Sequence, residues 1–269
     1  MTICELATRV VGPDGAPVVV FTGSLGTQMS MWEPQVRALS RRRRVVCCDV
    51  RGHGASPALP GPYTIAELGG DLVAVLHRLE IARATLVGLS IGGMMSMWAA
   101  AHAPERVERL VACCTTAKFD DEAAANYRQR ATTVRESGLE PLADSVLARW
   151  LTPDFAADRP EVLAGLRADL EGIDPEAYAA CCEALTALDL APELAAIRAP
   201  TLVISAAEDQ ATPPRYGRAI AAGIAGARFE LVDDAAHLAT LERPAVVNRL
   251  LAEFLDLQGA VSEQELGDG

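Results

Sequence analysis

Residues 84–93 read Ala-Thr-Leu-Val-Gly-Leu-Ser-Ile-Gly-Gly, and this stretch decides the fold. The apolar run 84–87 predicts a β-strand, and the Met- and Ala-rich segment after Ser90 predicts a helix to about residue 101. Gly88 and Gly92 suit the tight turn, because a Cβ there would clash with the strand or the helix. A Gly-x-Ser-x-Gly motif in this setting holds a serine hydroxyl at the end of a sheet. An ordinary serine in a glycine-rich turn is the alternative. The presence or absence of suitable partners for Ser90 decides between these two interpretations.

The composition is that of a globular protein with a sizeable core. The chain has 269 residues, of which 50% are hydrophobic and 22% are charged. That length fits one large α/β domain, or a core that carries an inserted subdomain. The net charge is −12, and no basic run occurs beyond residues 41–44. These features argue against nucleic acid or an anionic membrane as the main partner.

Neither the first residues nor the cysteines indicate an exported protein. The N-terminus has no basic segment followed by a long apolar one, which argues against a signal peptide. Residues 84–103 lack charges, but their glycines and serines fit a strand, a turn and a buried helix better than a membrane span. The seven cysteines show no Cys-x-x-Cys or Cys/His metal spacing. We therefore expect reduced, buried thiols, no metal site and a cytoplasmic location.

Strand-like and helix-like segments alternate in the first and last parts of the chain. The apolar runs that predict strands are 18–21, 44–50, 84–87, 107–114, 201–205 and 229–232. Residues 64–79 predict a helix that begins with a capping box of Thr64 and Glu67. This alternation predicts the α/β class, with a mostly parallel sheet and helices on both faces. The predicted units are a core of 1–117 and 199–258, an inserted helical cap of 118–198, and an acidic, flexible tail of 259–269.

Two further loops can supply partners for Ser90. Asp209 follows the fifth predicted strand, and His237 follows the sixth. Because the carboxyl ends of parallel strands meet at one edge of a sheet, we expect Ser90, Asp209 and His237 to converge. The imidazole can take the serine proton, and the carboxylate can hold the imidazole in the required tautomer. Glu208 competes with Asp209 for the acid role, but we expect Glu208 to point to solvent.

A serine nucleophile also needs two backbone N–H donors for the negative oxygen that forms on the substrate carbonyl. One is expected from Ile91, the residue after the serine. The other is expected from Leu25, in the loop after the strand 18–21. His53, in the segment Arg51-Gly52-His53-Gly54, is expected to be structural, with a role in substrate binding as the alternative.

Several motifs resemble those of the 3-oxoadipate enol-lactonases, which have the α/β-hydrolase fold. They are Ser24-Leu25-Gly26-Thr27, Asp49-Val50-Arg51-Gly52-His53-Gly54-Ala55-Ser56-Pro57, Gly88-Leu89-Ser90-Ile91-Gly92-Gly93-Met94 and, in the cap, Ala148-Arg149-Trp150-Leu151-Thr152-Pro153. Two positions depart from the family pattern. Gly23 stands where that family usually has Asn, and Ala206 stands where glycine is common. The change at Gly23 leaves the exact substrate open.

The resemblance implies a serine hydrolase that opens 3-oxoadipate enol-lactone to 3-oxoadipate through an acyl-enzyme, without a metal or cofactor. This small anionic substrate needs a local positive site in a chain of net charge −12. The cap residues that could form the site are Arg149 with Trp150, Lys118 and Arg130, and an ordinary surface position is the alternative for each. Arg149 or Lys118 is expected to reach the pocket.

Other functions are compatible with the same residues. A carboxylesterase or a cofactor-free perhydrolase would use the same triad on another ester or lactone. A non-catalytic ligand-binding protein on this fold would have no need of the intact Ser/Asp/His set. The sequence neither requires nor excludes a homo-oligomer.

Overall fold

The computed structural model describes residues 2–257, so residue 258 and the predicted tail at 259–269 lie outside the described residues. The strands are β1 (Thr8–Val11), β2 (Val18–Thr22), β3 (Arg44–Cys48), β4 (Ala84–Leu89), β5 (Val107–Cys113), β6 (Thr201–Ala206) and β7 (Arg228–Val232). They form one 7-stranded sheet in the order β1-β3-β2-β4-β5-β6-β7.

The predicted, mostly parallel sheet is confirmed. β1 runs antiparallel to β3, and every other neighbouring pair is parallel. β4 and β6 are buried along their whole length, because each has a neighbouring strand on both sides and helices cover both faces of the sheet. β1 was not predicted from the sequence. It lies at the sheet edge with partly exposed side chains, so it lacks the continuous apolar run of the central strands.

The helices pack against the sheet and against one another. They are α1 (Glu33–Leu39), α2 (Ile65–Arg78), α3 (Ile91–His102), α4 (Asp121–Ser137), α5 (Ala143–Trp150), α6 (Pro153–Asp158), α7 (Pro160–Glu171), α8 (Pro175–Thr186), α9 (Pro214–Gly223), α10 (Ala239–Glu242) and α11 (Pro244–Phe254). α1 contacts α11, and α2 contacts α3. The predicted capping box of Thr64 and Glu67 is present at the start of α2. No helix within residues 2–257 has the length and apolar character needed to cross a membrane.

Five helices, α4 to α8, lie between β5 and β6, and α4 packs along α8. The two ends of this inserted segment lie side by side, because the Leu190 N–H donates to the carbonyl of Ala117 at 2.8 Å. A second tie joins the segment to the loop after β7, because the Leu238 N–H donates to the carbonyl of Trp150 at 3.0 Å. These two bonds hold the inserted helices over the carboxyl ends of the strands.

Candidate active site

Ser90 stands between β4 and α3 in a backbone conformation that residues with side chains seldom adopt. Its φ is 58° and its ψ is −119°, outside both strand and helix geometry. Its N–H donates to the carbonyl of Cys113 at 3.0 Å, and its carbonyl accepts from Thr115 Oγ1 at 2.6 Å. A Cβ on Gly88 would collide with the backbone of Gly92, so this close approach requires glycine. The structure therefore contains the predicted strand–turn–helix, with Ser90 at its apex.

Asp209 and His237 lie in the loops that follow β6 and β7. His237 Nδ1 is 2.9 Å from Asp209 Oδ2, and both side chains are buried. Burial disfavours the charge of Asp209, but the imidazole and donors from Thr212 outweigh it and keep the pKa of this carboxyl below its ordinary value. An ionised carboxylate only accepts hydrogen bonds, so Nδ1 of His237 carries a proton and donates it to Asp209. The Nε2 atom is then the one that can act as a base.

Thr212 completes the surroundings of this carboxylate. Asp209 Oδ1 accepts from the N–H groups of Ala211 at 2.8 Å and Thr212 at 2.9 Å. Thr212 Oγ1 donates to Asp209 Oδ2 at 2.7 Å. Thr212 was not predicted from the sequence. The available signal was the Asp-x-x-Thr spacing, which is typical of an acidic side chain that accepts from the backbone three residues later.

The Nε2 atom of His237 faces the hydroxyl of Ser24, 3.4 Å from Oγ. Within residues 2–257 no hydrogen bond joins Nε2 to Ser90 Oγ, although Ser24, Ser90 and His237 all line the same inner pocket. Catalytic hydrogen bonds often form only when a substrate binds, so the role of Nε2 as the base of Ser90 rests on their shared pocket. The approach of Ser24 to His237 was not predicted, because only the folded chain brings these residues together.

Leu25 and Ile91 are buried residues, and neither N–H donates to an acceptor in the described part of the chain. Buried backbone donors are nearly always paired, so two unpaired donors beside a serine are typical of an oxyanion hole. The Leu25 loop is held against α3, because the Gly92 N–H donates to the carbonyl of Gly23 at 3.1 Å. The two predicted donors therefore belong to segments that are joined directly.

The departure from the family pattern at Gly23 has a steric basis. A Cβ at this position would lie 2.9 Å from both Met31 Sδ and Thr27 Oγ1. Any larger residue would therefore displace the side chains that pack beneath the loop. The side chains of Met31 and Thr27 occupy the space that a side chain at position 23 would need.

The inner pocket at Ser90 adjoins an outer cavity of about 240 Å³. The residues that line both spaces are Tyr127, Arg130, Arg149 and Ala211. The inserted helices α4 and α5 thus supply one wall, and the loop after β6 supplies another. A ligand that approaches Ser90 through this cavity passes between the two arginines and the loop that carries Asp209.

Arg130 and Arg149 provide positive charge beside Ser90. Arg149 Nη2 donates to the carbonyl of Gln210 at 3.0 Å. The Arg130 guanidinium lies 5.2 Å from the centre of the Tyr127 ring and 3.5 Å from the Tyr178 hydroxyl. Neither guanidinium forms a salt bridge with a carboxylate of residues 2–257. Both charges are therefore available to an anionic ligand.

Lys118 is a correction to the sequence analysis. Its ammonium pairs with Asp189 Oδ2 at 2.6 Å on the exposed surface, and it does not line the pocket. The backbones of Lys118 and Asp189 form a β-bridge at the base of the inserted segment, which directs the side chain away from Ser90. Trp150, by contrast, is buried and lines the inner pocket, where its ring lies against Gly26.

The other candidate groups from the sequence, His53 and the cysteines, lie outside this pocket. His53 does not line it, and its ring bonds to the backbone of Arg51 and Gly26. All seven cysteines are buried and unpaired, and burial raises the pKa of Cys4 to about 11 and of Cys47 to about 12. Among the described residues there is no cluster of three or more His, Cys, Asp or Glu side chains that could hold a metal ion.

Comparison with known proteins places this geometry in a family. A family model described as the alpha/beta hydrolase fold matches residues 16–244. 3-Oxoadipate enol-lactonase 2 of Acinetobacter baylyi is 40% identical over 237 residues, which cover 88% of each chain. The crystal structure of the enol-lactonase from Burkholderia xenovorans LB400 superposes with a TM-score of 0.91 at 43% identity, over 94% of this chain and 97% of that one. A thermophilic esterase from Thermogutta terrifontis, solved with malate bound, has a TM-score of 0.88 at 29% identity, over 94% of both chains. The chain therefore belongs to the α/β-hydrolase family, in the group that contains the 3-oxoadipate enol-lactonases.

Proposed function

We propose that this protein opens 3-oxoadipate enol-lactone to 3-oxoadipate through an acyl-enzyme on Ser90. The observation that carries the proposal is one pocket lined by Ser90, His237, Arg130 and Arg149. His237 pairs with Asp209 behind it, and neither arginine forms a salt bridge with a carboxylate of residues 2–257. The related enol-lactonases of Acinetobacter and Burkholderia support the choice of substrate.

The first half-reaction forms a bond between Ser90 Oγ and the lactone carbonyl carbon. His237 Nε2 takes the serine proton, while Asp209 stabilises the positive imidazolium. The negative oxygen of the tetrahedral intermediate accepts hydrogen bonds from the N–H groups of Leu25 and Ile91. The ring C–O bond then breaks, and the departing enol becomes a ketone, which makes it a good leaving group.

The second half-reaction releases the product. His237 takes a proton from a water molecule, whose oxygen attacks the ester carbon of the acyl-enzyme. The same N–H groups of Leu25 and Ile91 stabilise the second tetrahedral intermediate. The bond to Ser90 Oγ breaks, and the proton on His237 returns to that oxygen. The product carries a new carboxylate in addition to the one present in the lactone.

Arg130 and Arg149 would bind the carboxylate that the lactone already carries. A chain of net charge −12 repels anions at long range, so a local cationic pair is needed to offset that field. A planar guanidinium also matches the two oxygens of a carboxylate. The positions of both arginines between the inner pocket and the outer cavity support this role.

The segment 118–198 acts in this proposal as a cap over the core units 1–117 and 199–258. Its contribution of Tyr127, Arg130, Arg149 and Trp150 to the pocket lining supports the division. The enzyme would act on a small molecule in the cytoplasm, without nucleic acid or membrane as a partner. Seven unpaired thiols fit a reducing compartment.

Loss of the ultraviolet absorbance of the enol-lactone, followed with the wild type and Ser90→Ala, tests the reaction directly. We expect turnover by the wild type and a fall in kcat of about 10³-fold or more in the variant, because the nucleophile is gone. A Ser90→Ala protein that keeps wild-type turnover would rule out the acyl-enzyme. A wild type inactive on the lactone would rule out the substrate.

Arginine variants test the binding of the carboxylate. Arg130→Ala and Arg149→Ala should each raise KM for the lactone about 10-fold or more, because a charge-assisted hydrogen bond is lost. Arg128→Ala is the matched control, since Arg128 is an exposed residue of the same helix as Arg130 and does not line the pocket. Equal KM values for all three variants and the wild type would contradict the assignment.

A general carboxylesterase is the second candidate, and the similarity to the Thermogutta esterase favours it. Such an enzyme would use Ser90 in the same way but would not depend on a substrate carboxylate. A value of kcat/KM for neutral p-nitrophenyl esters far above that for the enol-lactone would favour this candidate over the first.

A further inference from the structure

His53 has no contact with the pocket, yet it binds the loop that carries a candidate oxyanion donor. Its ring is fully buried, with Nδ1 2.8 Å from the carbonyl of Arg51 and Nε2 2.9 Å from the N–H of Gly26. A carbonyl only accepts and an amide only donates, so Nδ1 carries the proton and Nε2 accepts. Burial lowers the pKa of His53 to about 4, which keeps the ring neutral near pH 7. His53 is therefore held in one tautomer by two backbone groups.

The loop that His53 binds is the four-residue turn Ser24–Thr27. The Thr27 N–H donates to the carbonyl of Ser24 at 3.2 Å, and Gly26, the third residue, has a φ of +97°. A positive φ at this position is the signature of a type II turn. In a type I turn the central peptide, between Leu25 and Gly26, is rotated so that its N–H points in the opposite direction. The orientation of this one peptide thus distinguishes the two turns.

The central peptide is held from both sides. His53 accepts from the Gly26 N–H beneath the turn, and the Trp150 ring packs against Gly26 from the inserted helices. Without the imidazole acceptor, the Gly26 N–H would be buried and unpaired, at a cost of about 1–3 kcal/mol. The Leu25 N–H belongs to the preceding peptide and keeps its direction in both turn types. Loss of the imidazole acceptor therefore acts on Leu25 by letting the whole Ser24–Thr27 turn shift until the Gly26 N–H finds another partner.

We propose that His53 is a positioning residue that anchors the Ser24–Thr27 turn in the place from which the Leu25 N–H reaches the substrate oxygen. This inference rests on the proposed role of Leu25 as an oxyanion donor. The donors of an oxyanion hole act only within a narrow range of distance and direction, so a small displacement of Leu25 lowers the rate. Binding of the ground-state substrate depends on other groups and is little affected.

Two polar substitutions separate this role from simple packing. Gln can place its carbonyl oxygen where Nε2 of His53 lies, whereas Asn reaches only the position of Nδ1 and leaves the Gly26 N–H unpaired. We expect His53→Asn to lower kcat for p-nitrophenyl acetate about 10- to 100-fold, with KM within about 3-fold of the wild type. We expect His53→Gln to keep kcat within about 5-fold of the wild type.

Ser56→Ala is the matched control. Ser56 lies in the same segment as His53, and its hydroxyl bonds to the backbone of Ala7 and Asp49 rather than to the turn. This variant should lower the Tm while leaving kcat within about 2-fold of the wild type. Equal kcat values for His53→Asn and His53→Gln, or an equal loss in Ser56→Ala, would overturn the proposal. A change in KM without a change in kcat in His53→Asn would also overturn the proposal.

A second readout does not require turnover. Diethyl p-nitrophenyl phosphate forms a bond between Ser90 Oγ and phosphorus, and the p-nitrophenolate that leaves is measured by its absorbance. The phosphoryl oxygen uses the same N–H donors, so His53→Asn should slow this step about 10-fold or more and His53→Gln should not. Equal phosphorylation rates in the two variants would contradict the proposal. Both readouts are independent of the lactone, so an inactive wild type on the lactone would refute the proposed function alone.

Discussion

His53 and His237 are both buried, yet their hydrogen bonds give them opposite roles. His237 donates from Nδ1 to the carboxylate of Asp209, which leaves Nε2 facing the pocket. His53 bonds to the backbone through both ring nitrogens and has none free for proton transfer. The position of His237 after a predicted strand was enough to predict that it lies beside Asp209. The partners of His53 could not be predicted from the sequence, because one of them, Gly26, lies in a separate loop at the edge of the sheet.

The low pKa of His53 predicts a pH dependence of stability. The ordinary pKa of histidine is 6.5, and burial lowers that of His53 to about 4. Between these values the unfolded chain binds a proton that the folded chain does not, so the free energy of unfolding falls as the pH falls. At about 1.4 kcal/mol per pKa unit, His53 alone removes about 3 kcal/mol between pH 7 and pH 4.

Urea unfolding near pH 7 and near pH 4.5 measures this effect. His53→Gln should be less stable than the wild type near pH 7, and its free energy of unfolding should depend less on pH. The comparison isolates His53, because every other titratable group is shared by the two proteins. A variant with the same pH dependence as the wild type would contradict the prediction.

The contact between Ser24 and His237 predicts a moderate effect on catalysis. The Ser24 hydroxyl can accept from Nε2 once the ring is protonated, so it can stabilise the imidazolium that forms during the reaction. Ser24→Ala should lower kcat about 10-fold, the equivalent of one hydrogen bond. Ser24→Thr, which keeps the hydroxyl, should recover part of the loss. Steady-state kinetics on the lactone measures both, and an Ala variant with wild-type kcat would refute the role.

At the scale of elements, the turn motif at the end of β4 was easier to predict than the short strands and helices. The turn between β4 and α3 was anticipated because its glycines, serine and apolar flanks are adjacent in sequence. The strand β1 and the short helices α1, α6 and α10 were missed, because four to seven residues carry too little periodicity to be recognised. Their formation depends on contacts with the rest of the fold.

Two glycine substitutions test why β4 and α3 approach so closely. A Cβ on Gly88 would meet the backbone of Gly92, so Gly88→Ala should lower the free energy of unfolding by about 3 kcal/mol and abolish activity. Gly165→Ala is the control. Gly165 lies in the interior of α7, where a Cβ would meet nothing within 4 Å, so this change should stabilise the protein by about 0.5–1 kcal/mol. Thermal and urea unfolding measure the stability of both variants, and equal changes in their free energy of unfolding would refute this account.

At the scale of the whole molecule, the inserted helices and the sheet build the pocket together. Ser90, Asp209 and His237 come from loops at the sheet edge, whereas Arg130, Arg149 and Trp150 come from the inserted helices. The bonds from Leu190 to Ala117 and from Leu238 to Trp150 fasten the two parts to each other. The sheet therefore supplies the proposed reactive groups, and the inserted helices supply the charge that would select an anion.

The distribution of cysteines predicts the behaviour of the folded protein toward thiol reagents. All seven are buried, and burial raises the pKa of Cys4 to about 11, so the reactive thiolate is scarce near neutral pH. Ellman's reagent should therefore find less than about one thiol per chain in the native protein. It should find all seven in guanidinium chloride. Rapid reaction of several thiols in the native state would contradict the buried positions.

The sequence by itself determined the turn at Ser90, the order of serine, acid and histidine, and the alternation that makes the sheet parallel. These features depend on neighbouring residues and on the rule that parallel strands end at one edge. Only the tertiary structure decided that Thr212 and Ser24 contact Asp209 and His237, that His53 binds the turn that carries Leu25, and that Lys118 pairs with Asp189 outside the pocket. The physical reason is that these contacts join residues from different elements, whose distance and direction depend on how the helices pack on the sheet.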